Sequence, residues 1–476
     1  MFTTYRTHST KHMNNRKTES DEKSKNQNLY STFWRWHFYA GLFCIPFAIW
    51  LSATGTIYLF KPQIENFLDQ SYDTLKLTGE RANPSDHVSA ALSAVPGSVL
   101  HAYELPESEN AAVRVLVGKG TDVDRVYVHP QTLEILKVIP EEDQLMRIIF
   151  HLHGDLLLGD KGSMIMELAA SWLIVLVITG LYLWWPRGGF GSAGTLYPRL
   201  NKGSRTFWRD IHSVTGLWIS FFLLFLLLSG LPWAKSWGGM LKQVRQMGQT
   251  TVVKQDWSTG RSSELAERKD ANTQQFSVMK TGGHAEHGGH NPDMEMVSDY
   301  KIIDTIVTNV FPLNLAYPVL ISPPNKANTS WTAKSDAQNR PLRVNLKLDA
   351  KTGEITERKD FSQKPLLDRI IGTGVAAHEG QLFGWFNQFL GVFTTLGVMT
   401  VAVSSFVMWW GRRPEGTIGA PRKINARPVP IALGLTIIIF GAFLPLLGMS
   451  LITILLLEFL ILRRIKPVRH FLGLSQ

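Results

Sequence analysis

The sequence predicts a membrane protein with an all-α core of six transmembrane helices, a duplicated four-helix core plus a terminal hairpin, carrying two α+β modules on its outer side. Three observations predict it. Charged residues make up only 18% of the 476 and are clustered, leaving long uncharged runs. Arginine and lysine gather in four segments that fall on one side of a membrane if the chain crosses it six times. The chain also repeats itself, opening two apolar runs with FWRWHFYAGL (33–42) and FWRDIHSVTGL (207–217).

A polar tail (1–36) carries Arg6, Lys11, Arg16, Lys17, Lys23, Lys25 and Arg35. Phe38 to Phe60 is uncharged, and about 20 apolar residues cross roughly 30 Å of hydrocarbon, so 37–60 is the first predicted span. The tail is too polar and the run too long for a removed signal peptide, which makes this an uncleaved anchor. Cys44, the only cysteine, lies inside it, so disulfides and multi-thiolate metal sites within the chain are excluded. In the first outer region (61–162), PSDHVSAALSAVPG reads as a capped helix, and SVLHAYELP, AAVRVLVG and DRVYVHPQTLEIL as alternating strands.

Span two (163–186) is followed by a loop (187–206) with Arg187, Arg199, Lys202 and Arg205. Span three (207–234) leads to a second outer region (235–379). There SDYKIIDTIVTNVFP reads as a helix, and LAYPVLISP and RPLRVNLKLDAKTGEITE as strands with a turn at Lys351-Thr352-Gly353. Span four (380–411) precedes a loop (412–428) with Arg412, Arg413, Arg422, Lys423 and Arg427. Pro428 to Leu462 is apolar apart from Glu458 but is interrupted by Pro445 and Gly448. It reads as two short helices, 429–447 and 448–463, turning near Leu447, before a tail (464–476) that follows Arg463 and Arg464 with Lys466 and Arg469. The cationic side is the cytoplasmic one, so both termini are expected there. The net charge of +10 then needs no nucleic acid to explain it.

Spans two and four both end in a Trp pair and arginine, TGLYLWWPRGG and SSFVMWWGRRPEG. Before them stand HGDLLLG (153–159) and HEGQLFG (378–384), with the same spacing of histidine and glycine. His37 and His212 open spans one and three on the cytoplasmic side; His153 and His378 precede spans two and four on the outer side. Gly41 and Gly216 lie one turn beyond His37 and His212. Two readings stand: interfacial histidines with glycines that permit close helix packing, or two imidazole pairs, each holding a haem iron axially, with glycine leaving room for the porphyrin.

On the phrases WHFYAGL, HGDLLLG, LYLWWPR, FWRDIHSVTGLW, HEGQLFGWFNQ and MWWGRRP, the chain resembles the PepSY-associated transmembrane proteins. These include di-haem siderophore reductases of the bacterial inner membrane. The resemblance implies PepSY-like outer modules, two haem b groups, and His37, His153, His212 and His378 as ligands. His151 is an alternative in the HLH triplet, although the match to HEGQLFG favours His153. The implied activity passes electrons across the inner membrane to reduce a ferric siderophore or another metal chelate at the periplasmic face. No Gly-rich dinucleotide fingerprint is present, so the donor is quinol or a partner reductase. A non-redox PepSY binding or regulatory protein is the alternative, and a siderophore or metal permease a weaker one, since no span carries a path-lining acid or base beyond Glu458 and the terminal histidines.

GGHAEHGGHNPDMEM (282–296) spaces His284, His287 and His290 three apart before Met294 and Met296. It is read either as a site for copper or zinc, which raises copper as the physiological metal, or as a flexible linker. Surface or turn roles are expected for His87, His101 and His129. Trp34, Trp36 and Trp208 are interface anchors or border a haem edge, and the aromatic loop PLNLAYPVLISPPNKANTSW (312–331) is a candidate chelate surface. Nothing in the sequence assembles a hydrolase's nucleophile and base.

Overall fold

Ala40, Cys44 and Ala48 recur every fourth residue in the first apolar run and are all buried. Such a stripe lets two helix backbones approach closely, which is how helices associate where lipid is as apolar as leucine. The computed structural model describes residues 5–186, 191–247, 259–273, 300–325, 330–421 and 431–474, with side chains from residue 29 onward except that of Ala432. Its main helices are α1 (Tyr5–Leu59), α2 (Lys61–Asp73), α3 (Pro84–Ala94), α4 (Leu145–Gly154), α5 (Gly159–Trp184), α6 (Ser204–Gly230), α7 (Lys235–Gln246), α8 (Arg261–Thr273), α9 (Ile302–Val310), α10 (Leu366–His378), α11 (Trp385–Arg412), α12 (Ile431–Phe443), α13 (Pro445–Leu457) and α14 (Lys466–Phe471). Eight strands complete it: β1 (Val99–Glu104), β2 (Val113–Lys119), β3 (Asp122–Val128), β4 (Ile135–Pro140), β5 (Val319–Ser322), β6 (Trp331–Ser335), β7 (Val344–Leu348) and β8 (Ile355–Asp360).

Among the described residues, five helical segments are long and apolar enough to cross a membrane: Leu29–Leu59, Gly159–Trp184, Ser204–Trp233, Trp385–Arg412 and Pro445–Leu462. The protein is a multi-pass membrane protein. The chain divides into two compact units, one of Met1–Ala53, Met164–Leu231 and Phe393–Gln476, the other of Thr54–Ser163 and Pro232–Val392.

In the first unit the small stripe of α1 meets α5: Cys44 Sγ lies 3.9 Å from the Ala169 carbonyl oxygen, and Ala169 is fully buried. Helices α6 and α11 approach just as closely, since a Cβ on Gly397 would come within 2.4 Å of Ile219. The tryptophans that end the spans tie down the loops that follow. Trp184 Nε1 donates to the Thr195 carbonyl at 3.1 Å, and Trp409 Nε1 to that of Ile418 at 2.9 Å.

The terminal hairpin differs from expectation. Its break falls at Leu444–Pro445, not near Leu447, because Pro445 starts α13 at a position where its missing N–H costs nothing. A Cβ on Gly448 would meet the Gly441 carbonyl oxygen at 2.5 Å, so the two glycines let the arms touch backbone to backbone. Within the expected span 429–447 the described residues form α12, 13 residues that rise about 20 Å. Both ends of this unit nevertheless meet on one face. Tyr39 Oη donates to the Leu472 carbonyl at 2.5 Å, the Arg35 guanidinium reaches the Gly473 carbonyl at 3.2 Å and that of Pro421, and Ile418 N–H bonds the Phe471 carbonyl at 2.9 Å.

The second unit holds one eight-stranded antiparallel sheet, in the order β4-β3-β2-β1-β5-β6-β7-β8. The two α+β modules expected as separate bodies are therefore halves of one sheet, each a helix followed by a four-strand meander. They join where β1 pairs antiparallel with β5, Tyr103 opposite Ile321 and Glu104 opposite Leu320. One core serves both halves: Val88 and Ala91 of α3 and Ile303, Ile306 and Val310 of α9 cluster with Val115, Val126, Ile321 and Leu346 from the strands. DRVYVHPQTLEIL is two strands, not one. His129 Nδ1 accepts the N–H groups of Gln131 and Thr132 at 3.2 and 3.1 Å and caps the turn between them. The aromatic loop expected to shape a chelate surface instead contains β5 and leads into β6, whose Trp331 is only 4% exposed.

Candidate cofactor site: two histidine pairs

His37 sits in the third turn of the α1 span and His212 in the third turn of the α6 span. Their rings face each other with centroids 6.3 Å apart and planes 84° apart. In the second unit, His153 in the last turn of α4 and His378, which ends α10, do the same, at 6.4 Å and 84°. The two arrangements are duplicates within measurement. A metal–imidazole bond is about 2.0–2.1 Å, and a ring nitrogen lies about 1.1 Å from its centroid. Two imidazoles on opposite sides of one metal therefore put their centroids about 6.3 Å apart. Edge-to-face rings in direct contact also span about 4.5–7 Å, so it is the recurrence of one spacing and one angle in both pairs that sets these histidines apart.

The atoms behind each ring are as regular. His37 Nδ1 lies 2.9 Å from Thr179 Oγ1, and His153 Nδ1 lies 3.0 Å from Thr54 Oγ1. His212 Nδ1 lies 3.0 Å from Ser405 Oγ and 3.2 Å from the Val401 carbonyl oxygen. The glycine after each threonine receives the ring. A Cβ on Gly180 would stand 3.2 Å from His37 Cε1, and one on Gly55 would stand 3.2 Å from His153 Cε1.

Gly41 and Gly216, expected to leave room for a porphyrin, are not required by helix packing. A Cβ there would meet only Leu176 Cδ2 at 3.8 Å and Val401 Cγ2 at 4.0 Å, ordinary contacts. Packing glycines look different: a Cβ on Gly391 would stand 2.6 Å from Leu59. Gly159 and Gly384, which gave the matched histidine–glycine spacing, have a third role. Their φ values of 59° and 58° are left-handed and turn the chain into the following helix.

His151 belongs to a different network. Its Nδ1 bonds Asp155 Oδ2 at 2.8 Å, and its Nε2 faces Glu142 Oε2 at 3.3 Å and Arg261 Nη1 at 3.2 Å. Burial opposes its protonation, but Asp155 and Glu142 outweigh that and raise its pKa above the ordinary histidine value. Burial would raise the Glu142 pKa too, yet the hydrogen bond from His151 and the charges of Arg147, Arg268 and Arg261 hold it well below the usual carboxylate range. These side chains fasten α8, a helix the sequence reading did not anticipate, to the start of α4. The ring opposite His378 is that of His153.

Among the described residues, no group of three or more His, Cys, Asp or Glu side chains is placed to hold a metal ion. His284, His287 and His290 lie outside the described residues. His101 bonds Asn272 Oδ1 of α8 at 2.8 Å, and His87 is buried against the Pro130 carbonyl at 3.1 Å, not on the surface. Trp34 is 39% exposed, in keeping with a lipid-facing anchor.

The sequence model of the PepSY-associated TM region matches residues 34–412, from the aromatic phrase before His37 to the arginine after the second Trp pair. The chain belongs to the PepSY-associated transmembrane family. Among curated proteins, none matches it. In this PepSY-associated protein the hydroxyls behind the rings recur with the duplication, although the sequence alone does not tell them from other hydroxyls in the spans. His37 to Thr54 and His212 to Ser229 are both 17 residues, and His153 to Thr179 and His378 to Ser404 are both 26. The duplication that carries the histidines thus also carries Thr54-Gly55, Thr179-Gly180, Ser229-Gly230 and Ser404-Ser405.

Proposed function

We propose that this member of the family is a di-haem oxidoreductase of the bacterial inner membrane, which passes electrons outward to reduce a ferric siderophore or another metal chelate. The observation that carries this reading is the pair of matched histidine arrangements, each with a spacing that two imidazoles sharing one metal ion would have. The donor set fits haem b: two neutral nitrogens per site, a cleared approach at Gly41 and Gly216, and no Cys-x-x-Cys-His for covalent attachment. Haem iron bound by these histidines would supply one-electron transfer.

The chain's own residues do the rest. His37 and His212 would hold one group and His153 and His378 the other, the second pair on the outer, periplasmic side with the sheet, whose halves we read as PepSY-like modules. Iron(II) is a softer ion than iron(III) and binds hard oxygen chelators less well, so a one-electron reduction at the outer face releases the metal. Quinol or a partner reductase supplies the electron on the side of Arg35 and the C-terminal helix.

The test is reduction of an external ferric chelate by sealed membrane vesicles supplied with quinol. Wild-type protein should reduce it, and His37→Ala and His153→Ala should each abolish reduction while the protein still inserts. Reduction surviving either substitution would refute a path through both sites.

A further inference from the structure

His37 and His212 each rest on a hydroxyl whose own hydrogen is assigned. Thr179 Oγ1, 2.9 Å from His37 Nδ1, donates to the Val175 carbonyl at 2.7 Å and so can only accept from the ring. Ser405 Oγ, 3.0 Å from His212 Nδ1, donates to the Val401 carbonyl at 2.8 Å, and that carbonyl, itself 3.2 Å from Nδ1, cannot donate at all. Both imidazoles therefore carry their proton on Nδ1 and their lone pair on Nε2. Thr54 Oγ1 meets His153 Nδ1 at 3.0 Å in the other pair. Thr179 and Thr54 are 3% and 6% exposed, so water does not compete for these bonds.

The acceptors behind His37 and His212, two hydroxyls and the Val401 carbonyl, are neutral. A carboxylate behind a ligating imidazole pulls on the N–H and makes the ring a stronger donor, whereas a hydroxyl or carbonyl does so only weakly. His151, two residues from His153, has the opposite setting, with Asp155 at 2.8 Å from its Nδ1. The chain thus places its carboxylate on the histidine that does not face a partner ring.

We propose that Thr179, Ser405 and Thr54 are positioning residues that lock the facing histidines with Nε2 toward the shared centre and, as neutral acceptors, set the reduction potential of each bound iron. Gly180 and Gly55 are part of the same device, because each leaves the space in which the ring can lie against its threonine. This inference rests on the two-haem reading and adds to it a mechanism for tuning each centre separately.

The experiment is a spectroscopic redox titration of the full-length protein in detergent, with haem counted per folded chain, for Thr179→Val, Thr179→Ser, Thr54→Val and Thr54→Ser. Valine keeps the shape and removes the acceptor. Thr179→Val should raise the midpoint of one haem, with a tenfold loss of ferric over ferrous preference appearing as about 59 mV for a one-electron couple, and leave the other unmoved. Thr54→Val should shift only the second haem, and both serine variants should titrate as wild type. If a valine variant loses its haem, retention in the serine variant still supports the hydroxyl's role, and loss in both overturns it. Unmoved potentials with both haems present would also overturn it, leaving the two-haem reading intact; a wild-type protein without haem would remove that reading instead.

Discussion

At each seat one side chain decides whether the imidazole can turn toward its partner. A Cβ on Gly180 would stand 3.2 Å from His37 Cε1, tighter than nearly all real contacts, so even alanine must push the ring by a few tenths of an ångström. Gly180→Leu should therefore displace His37, and Gly55→Leu should displace His153. Each variant should bind about one haem per folded chain in place of about two, with the surviving centre unchanged in spectrum. Gly41→Leu and Gly216→Leu touch neither ring, yet should also lose the first haem, because packing leaves that space open; full haem content in both would return those glycines to a packing role. His151→Ala should keep both haems. The histidines were legible because a repeated phrase isolates them. Thr54, Thr179 and Ser405 were not, because hydroxyls in spanning helices routinely bond their own carbonyls four residues back, and only the fold shows which also meet a ring.

In the sheet, the seam between β1 and β5 joins two halves that could each have been a module. Ile321 lies in this seam, fully buried and opposite Tyr103. Ile321→Ala should destabilise the sheet by about 2–4 kcal/mol, read as a lower denaturation midpoint of the sheet region under limited proteolysis, with haem content per folded chain unchanged. The charged cluster on α8 should respond to acid. Since the folded pKa of Glu142 is depressed, its contribution is present above the ordinary carboxylate pKa and fades as pH falls below it. Glu142→Gln should loosen α8 at neutral pH to the extent that acid loosens the wild type, measured by hydrogen exchange across Arg261–Thr273; equal protection in both would contradict that role. The sequence made the individual strands legible through alternation, with β6 the exception, since Trp331–Ser335 is short and follows a polar, proline-containing stretch. It did not reveal the seam, because pairing of distant edges leaves no local pattern.

Across the whole molecule, duplication organises spans, seats and sheet halves alike, and charge gives the sidedness. The bonds from Arg35 and Tyr39 to the C-terminal segment place the start of the first span and the end of the chain on one face. In a Cys44→Ser background, cysteines at Lys466 and at Lys202 should thus be labelled from the same side of the membrane, and one at Gly353 from the other. Labelling of Lys466→Cys and Lys202→Cys from opposite sides would contradict the terminal hairpin as a return to the starting face. The apolar runs and their cationic flanks were readable from composition alone; the hairpin's true break was not, because it depends on the close approach of Gly441 and Gly448. The central claim is that each facing histidine pair holds one haem iron, and the most direct measurement is haem content per folded chain with its optical spectrum, on protein purified from haem-replete cells. The account predicts about two low-spin b-type haems per chain, both released by acid–organic extraction, falling to about one in His37→Ala or His153→Ala. A colourless protein, or haem content indifferent to those substitutions, would contradict it.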